Sequence, residues 1–470
     1  MSRTTFHLVS LGCAKNTVDS ESMAQLLVNS GYRLVDDPAR AGVLIVNTCG
    51  FIGPAKEESL RVLSELAETK RRDQFLIAAG CLTQRYGVEV VRQVPGIDGI
   101  LGTRRWMDIV DVVKGLRAGK HPQPVYHLPE APTVGKDEYG VLRVAVQGAS
   151  AYIKIADGCR RPCAFCAIPL IKGTAVSRPL ESVLEEANTL QEMGVRELIL
   201  IAQDTTDYGH DLGLKNGLAH LLEELVLALE LAHSDNGHSP VGVDWIRIMY
   251  AYPGYLTDRL IDVMVSNHKI VPYLDMPLQH AHPATLRRMR RPANVDWVYK
   301  TLEKMRRAMP DLALRTTFIV GYPGETEVEF QTLLDFIEEI RFDKVGAFQF
   351  SFEPGTTSEP FGDPIPSQVK QERWERLMTL QQAISLERNQ SFVGKTLDVL
   401  VEGRGQGVSL GRSYRDAPEI DGLVIVEAEL PIGAMVPVRI TGAMVYDLTG
   451  VVEDETQSRK GAETQRLINP

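Results

Sequence analysis

Ala151-Tyr152-Ile153-Lys154-Ile155-Ala156-Asp157-Gly158-Cys159-Arg160-Arg161-Pro162-Cys163-Ala164-Phe165-Cys166 is the stretch that decides how this chain reads. Its first six residues are an apolar, β-branched run that reads as a strand, which puts the three thiols on the loop leaving a strand end. Spacings of four and three let Cys159, Cys163 and Cys166 wrap one side of a compact metal centre. A structural zinc site needs a fourth protein ligand to close its tetrahedron, and no Cys or His follows within the next forty residues. Three thiolates on a cubane iron–sulfur cluster would instead leave one iron open to a small molecule. A zinc knuckle or an unrelated thiol cluster is the alternative.

Downstream, the chain alternates strands and helices to about Phe352. Strand runs are Glu197–Ile201, Trp245–Met249, Val271–Asp275, Thr316–Val320 and Gly346–Phe350; helices fit Pro179–Met193, Leu218–Ala232, Thr257–Ser266, Val295–Met309 and Glu325–Ile340. Six strands with five crossovers fall short of an eight-fold barrel, so an open (β/α)6 partial barrel is expected, its site at the strand C-termini. Three loops at those ends carry polar or glycine-rich sequence: 203–209, 276–282 with Gln279, and 321–326 with Gly321 and Gly324. The glycine pair could let backbone approach a bound ligand, although Gly-x-x-Gly is more often just a turn. His280 and His282 read as exposed loop histidines, which seldom bind metal. Arg287, Arg288, Arg290 and Arg291 read as a solvated helix end ahead of a substrate-binding patch.

Upstream lie the chain's other three cysteines, Cys13, Cys49 and Cys81, at intervals of 36 and 32 residues. Each closes an apolar run: Phe6–Cys13, Val43–Cys49 and Phe75–Cys81. Helical patterns lie between them, so the segment reads as repeated βα units on a parallel sheet. All three then fall at strand C-termini, the edge where open α/β sheets place their sites. Helix N-termini after Cys13 and Cys49 would favour thiolate. Any one of these could be a buried structural cysteine; three sharing one topological position point to a second three-thiolate site.

From about Ala118 the proline- and glycine-rich sequence reads as a stiff linker, with Pro122, Pro124, Pro129, Pro132 and Gly135. Beyond the barrel come a long helix, about Gln368 to Asn389, and short glycine-broken β runs that fit a small antiparallel barrel of OB-like kind. The last residues, Glu453 to Pro470, read as disordered. The expected domains are 1–117, a linker 118–140, the barrel 141–366, a connecting helix 367–391, a small β-barrel 392–452 and a tail 453–470: an α/β multidomain protein.

Cys-x3-Cys-x2-Cys with an aromatic, Phe165, before the last cysteine resembles the signature of the radical S-adenosylmethionine enzymes. With three further cysteines on an α/β domain and a C-terminal segment resembling a TRAM domain, nearly the whole chain resembles the methylthiotransferase family. Val9-Ser10-Leu11-Gly12-Cys13-Ala14-Lys15-Asn16 and Asp416-Ala417-Pro418-Glu419-Ile420-Asp421-Gly422 look like the branch that modifies an aspartate of the twelfth protein of the small ribosomal subunit, with Ala14 where that branch suggests Pro. The resemblance implies two 4Fe–4S clusters and S-adenosylmethionine. A cluster on Cys159, Cys163 and Cys166 would cleave S-adenosylmethionine and yield a radical that takes hydrogen from the aspartate β-carbon. An auxiliary cluster on Cys13, Cys49 and Cys81 would hold the incoming sulfur, methylated by a second S-adenosylmethionine. Phe165, Gln279, Gly321 and Gly324 would contact the cofactor. An external electron donor is implied. A sister branch modifies an adenosine in transfer RNA.

Charge bears on that choice. The chain has a formal charge of −10, which argues against a protein built mainly to bind nucleic-acid phosphates. From Ser391 to Gly450 five Lys or Arg face eight Asp or Glu. An RNA-holding barrel should be basic; an acidic one suits a cationic ribosomal protein, free or within the ribosome. No uncharged run approaches a membrane span and the N-terminus lacks a signal-peptide core, so a cytoplasmic location without membrane partners is expected.

Overall fold

The structure, a computed structural model, describes residues 4–119, 124–129, 141–235 and 242–453. The N-terminal sheet has six parallel strands: β1 (Thr5–Ser10), β2 (Arg33–Leu34), β3 (Val43–Thr48), β4 (Phe75–Gly80), β5 (Gly99–Gly102) and β6 (Val125–His127), in the order β2-β1-β3-β4-β5-β6. Helices α1 (Ala14–Asn29), α2 (Gly53–Thr69), α3 (Cys81–Gln93) and α4 (Ile109–Ala118) cover it. Helices pack on both faces, so β3 is buried at every position and reads as a continuous apolar run. The strands that lead to the three cysteines, β1, β3 and β4, are neighbours in the sheet. Ala14 is the first residue of α1, a position that suits Pro as well. The linker expectation needs correction, because Val125–His127 pairs with β5 as the sixth strand. Pro122, Pro132 and Gly135 lie outside the described residues, as does the tail beyond Glu453.

The central unit begins with β7 (Val144–Gln147), antiparallel to β8 (Ser150–Lys154), followed by the short pair β9 (Ala156–Asp157) and β10 (Val176–Ser177). Parallel strands β8, β11 (Glu197–Ile201) and β12 (Trp245–Ile248) continue through a single bridge, Ile246 to Ile270, towards β13 (Tyr273–Asp275), β14 (Ala313–Val320) and β15 (Lys344–Gln349). This is the expected six-strand arc. Around it run α5 (Ile168–Lys172), α6 (Leu180–Glu192), α7 (Gly217–Asp235), α8 (Asp258–Ser266), α9 (Pro283–Arg288), α10 (Val295–Ala308) and α11 (Glu327–Ile340). A single apolar core, from Ala151 through Leu200 and Phe318 to Phe336, fills the space between strands and helices.

Helix α12 (Ser367–Gln390) leads to a closed barrel of β16 (Thr396–Gly405), β17 (Val408–Ser413), β18 (Val424–Val426), β19 (Met435–Ala443) and β20 (Leu448–Val452). It is not wholly antiparallel, since β18 and β20 run parallel. Five strands closed into a ring cannot alternate direction all the way round, so one pair must be parallel.

Buried ion pairs dock this barrel on the central arc. Glu197 on β11 accepts from Arg247 at 2.7 Å and Arg412 of β17 at 2.5 Å, all three out of solvent. Arg415 pairs with Asp343 at 3.0 Å, Asp416 with Lys344 at 2.7 Å, and Tyr273 donates to Asp421 at 2.6 Å. Burial opposes ionisation of Glu197, but Arg247 and Arg412 outweigh it and pull its carboxyl from the ordinary 4.5 to about 2. A carboxyl depressed in the folded state adds stability above its unfolded pKa and loses it as pH falls through the folded one. The stability gap between wild type and Glu197→Gln, measured by urea unfolding across pH, should therefore narrow by about 3 kcal/mol between pH 4.5 and 2. A gap independent of pH would exclude this role.

Candidate active site

Cys13 is the residue before α1, Cys49 follows β3 directly, and Cys81 opens α3 straight from β4. Tight backbone approaches bring these three ends together. Gly12 has φ +97°, and a Cβ there would fall 2.8 Å from the Cys49 Cβ. Gly80 has φ +100°, with a would-be Cβ 2.3 Å from the Asn47 Oδ1. Only glycine tolerates both conditions. Asn16 ties the ends: its Nδ2 donates to Leu11 O at 2.8 Å and Thr48 O at 3.1 Å, and the Cys81 thiol lies 3.7 Å from its Oδ1.

The central triad sits on the loop between β9 and α5. The Arg161 amide donates to the Cys159 Sγ at 3.4 Å, Arg291 to the Cys163 Sγ at 3.5 Å, and the Tyr252 hydroxyl lies 3.7 Å from Cys163. The Ala164 amide donates to Met289 O at 2.8 Å, which fixes the loop against the segment after α9. Arg161 pairs with Asp204 at 2.5 Å and stacks on Tyr255.

Both triads border one cavity of about 410 Å3, where Cys13, Cys49 and Cys81 face Cys159, Cys163 and Cys166. Lys15, Phe165, Lys172, Gln203, Tyr250, Tyr252, Gln279 and Arg291 also reach it. Among the described residues no three His, Cys, Asp or Glu draw close enough for a single metal ion. Three thiolates around a larger body are the donor set of an iron–sulfur cluster, and each triad has the composition that could supply it.

What holds the triads opposite one another is a buried charge cluster. Asp19 of α1 binds Lys154 at 2.5 Å, Arg143 at 2.5 Å and Lys172 at 3.1 Å. Asp157, two residues before Cys159, binds Lys154 at 2.8 Å and Lys172 at 2.9 Å. Burial resists ionisation of Asp19, but Lys154, Lys172 and Arg143 prevail and hold it well below the carboxylate range. Cys13, the most exposed of the six thiols, also lies below its ordinary value: desolvation by the surrounding chain opposes ionisation, yet Lys15, backbone amides and Lys172 outweigh it. Burial dominates at the other shifted thiols and raises Cys49 and Cys166, with Cys81 reaching about 12 and Cys159 about 11. The expected thiolate preference thus holds at Cys13 and fails at Cys49, which lies four residues ahead of α2 and away from its amides.

Phe165 and Gln279 reach the cavity; Gly321 and Gly324 are not in its lining. Gly321 instead donates to Glu325 at 2.7 Å and packs against Lys370, while Gly324 packs against Arg288. His280 is not exposed: it is buried against Glu325 at 3.0 Å. Arg291 is not a solvated helix-end residue either, because the chain turns at Arg290, φ +53°, and sends it inward over Tyr252. Tyr250 and Tyr252 escaped the sequence reading, though their place just past β12 marked them as site candidates. Tyr250 and Gln279 hold φ of +62° and +74°, conformations a non-glycine residue keeps only when its surroundings impose them.

The Radical SAM superfamily model matches residues 153–337, the Uncharacterized protein family UPF0004 model residues 5–102, and the TRAM domain model residues 393–452. A Ribosomal protein uS12 methylthiotransferase RimO from Chloroflexus aurantiacus is 49% identical over 461 residues, covering 95% of this chain and 99% of the relative. Another from Symbiobacterium thermophilum is 46% identical, covering 98% and 94%. This chain belongs to the RimO family. A solved radical S-adenosylmethionine methyltransferase, TsrM from Kitasatospora setae, shares the fold of this RimO-family chain at TM-score 0.56 and 14% identity, covering 89% of this chain and 80% of that one.

Replacing Asp19 by Asn would leave three buried cations facing Asp157 alone. We expect this to destabilise the protein by about 3–5 kcal/mol, the cost typical of breaking a buried charge network from one side. Denaturant unfolding checks it; a loss under about 1 kcal/mol would show that the cluster does not anchor the two units.

Proposed function

We propose that this RimO-family chain is a radical S-adenosylmethionine methylthiotransferase that adds a methylthio group to the β-carbon of an aspartate in ribosomal protein uS12. One observation carries the reading: two triads from separate folding units open onto one cavity. It works as three units, 1–117, 141–366 and 392–452. Its cofactors are an iron–sulfur cluster and S-adenosylmethionine; we assign the cluster to Cys159, Cys163 and Cys166, and a second cluster to Cys13, Cys49 and Cys81. When bound, these groups supply a radical able to take hydrogen from an unactivated carbon, together with the sulfur and methyl to be added.

The protein's own work is placement and exclusion. An aspartate β-hydrogen is not acidic enough for a side-chain base, so the cavity needs no proton acceptor at that carbon. Asp19 and Asp157 grip the same lysines and so set the separation of the two triads. Phe165 and Gln279 line the cavity, and we assign them to S-adenosylmethionine. Tyr250 and Tyr252 wall the cavity with ring surface.

Charge supports a protein substrate. Of the five basic residues in the C-terminal barrel, Arg412 and Arg415 are buried in docking pairs, leaving Lys395, Arg404 and Arg439 exposed. Asp398, Glu419, Glu427 and Glu429 are exposed against them. That near-balance lacks the excess of cations an RNA-holding barrel carries. An external donor supplies the electron. No helix among the described residues is long and apolar enough to cross a membrane.

The anaerobically loaded protein, incubated with uS12 and a reductant, should give a methylthio mass increment on one aspartate. Replacing Cys159, Cys163 and Cys166 together by Ala should abolish S-adenosylmethionine cleavage. Replacing Cys13, Cys49 and Cys81 should lower iron content by about half and lose the methylthio product. Full product from that second variant would refute the division of work, and modification of transfer RNA rather than uS12 would refute the substrate.

A further inference from the structure

Four cations line the cavity, and three have partners that explain them. Arg161 is held by Asp204 and Asp207. Lys172 is held by Asp19 and Asp157. Arg291 donates to Pro277 O and to the Cys163 Sγ while covering the Tyr252 ring. Lys15 differs: its side chain is nine-tenths buried, and among the described residues its ammonium has no carboxylate partner. Its contact is the Tyr250 ring, whose centroid lies 3.1 Å from Nζ. Asp275, the carboxylate that acts most on Lys15 electrostatically, is committed elsewhere, to Arg315 at 2.8 Å and the Tyr250 amide at 2.9 Å.

An ammonium in a cavity wall that meets only a π face within the protein keeps three donors and a charge available to a ligand. The strained backbone at Tyr250 brings that ring beneath Lys15. An arrangement that costs the free protein desolvation and strain, at the mouth of a cavity, fits a ligand that completes it. The missing complement is an anion with acceptor oxygens. Building on the proposed function, we infer that Lys15 is a specificity-determining residue that binds the side-chain carboxylate of the substrate aspartate.

The position suits that task. Lys15 is two residues from Cys13, lines the same cavity, and feels the Cys13 sulfur electrostatically. The carbon to be modified is two covalent bonds from the carboxylate oxygens, so an oxygen held by Nζ keeps that carbon beside the N-terminal triad. Carboxylate recognition by a fixed charge also discriminates against the neutral amide of an asparagine, which offers an acceptor oxygen but no opposite charge. The same chemistry could come from the methionyl carboxylate of S-adenosylmethionine. Lys15 stands with the other triad, which favours the substrate.

The test is calorimetric binding to the anaerobically reconstituted, full-length protein. The probes are uS12, uS12 with the target aspartate changed to Asn, and S-adenosylmethionine. Wild type should prefer the Asp form by roughly 10- to 100-fold, the usual range for a hydrogen bond to a charged group. Lys15→Met should erase that preference by weakening the Asp form alone, at wild-type iron and sulfide content, and Lys15→Arg should restore much of it. The inference is overturned if wild type binds both forms alike, if Lys15→Met keeps the preference or weakens both forms equally, or if it loses S-adenosylmethionine binding instead. It is also overturned if both variants lose iron, since Lys15 would then serve the cluster site. If wild type leaves uS12 unmodified, the proposed function itself fails; if only the Lys15 results fail, that reading stands.

Discussion

Asp19 is the point at which the two cysteine-bearing units are fastened. It belongs to the first helix of the N-terminal sheet, six residues beyond Cys13, and grips Lys154, Arg143 and Lys172 of the central unit. Asp157 grips the same lysines from the strand that leads into Cys159. Replacing such a network with packed apolar side chains often costs nothing in stability. What it adds is directional. Ion pairs of this length admit one relative placement of their backbones, whereas an apolar interface tolerates sliding. The proposed reaction, with its radical source and sulfur source assigned to different units, would need that single placement, because misplacement by an ångström is expensive in rate. The network also carries three cations against two carboxylates. The surplus lies behind a cavity lined by six thiols, and Lys172 reaches that cavity directly.

The features legible from sequence were those set by local pattern. Repeated βα spacing placed Cys13, Cys49 and Cys81 at one sheet edge, and three neighbouring strands deliver them there. The spacing of Cys159, Cys163 and Cys166 announced its own chemistry, and the six-strand arc followed from counting runs. Illegible were the contacts between distant segments. Asp19 and Lys172 lie 153 residues apart, and each reads as an ordinary polar position in its own helix. Lys154, within Ile153-Lys154-Ile155, has the alternation of a half-exposed strand, yet the N-terminal unit packs over that face and buries it completely. Arg291 and His280 were misread for a related reason: in a loop-rich stretch periodicity cannot report burial, and a turn at Arg290 or a partner at Glu325 decides it.

Net charge by segment had a similar blind spot. Counting residues treats every arginine of the C-terminal barrel as surface charge, but Arg412 and Arg415 are buried against Glu197 and Asp343 of the arc. The Asp416 to Gly422 stretch, whose resemblance pointed to the ribosomal-protein branch, does structural work here. Asp416 meets Lys344, and Asp421 meets Tyr273 and Arg315. The barrel is therefore locked to the central unit by buried charges of both signs, and its exposed charge, three basic residues against four acidic ones, is nearer balance than its composition implies.

Rigidity in the frame also explains why the cavity can keep costly features. Tyr250 and Gln279 hold left-handed backbone that a non-glycine residue avoids, at about 1–3 kcal/mol each. Lys15 sits buried without a carboxylate. None of these would persist in a wall free to relax, since small shifts would release the strain or expose the ammonium to water. They persist because the strand ends that carry them are fixed on both sides. Asn16 laces the N-terminal strands together, and the Asp275 carboxylate binds the Tyr250 amide while also pairing with Arg315 of β14. The paired charges behind the cavity thus fix position, and the cavity lining holds a cation without a carboxylate partner together with strained backbone that a substrate can use on binding.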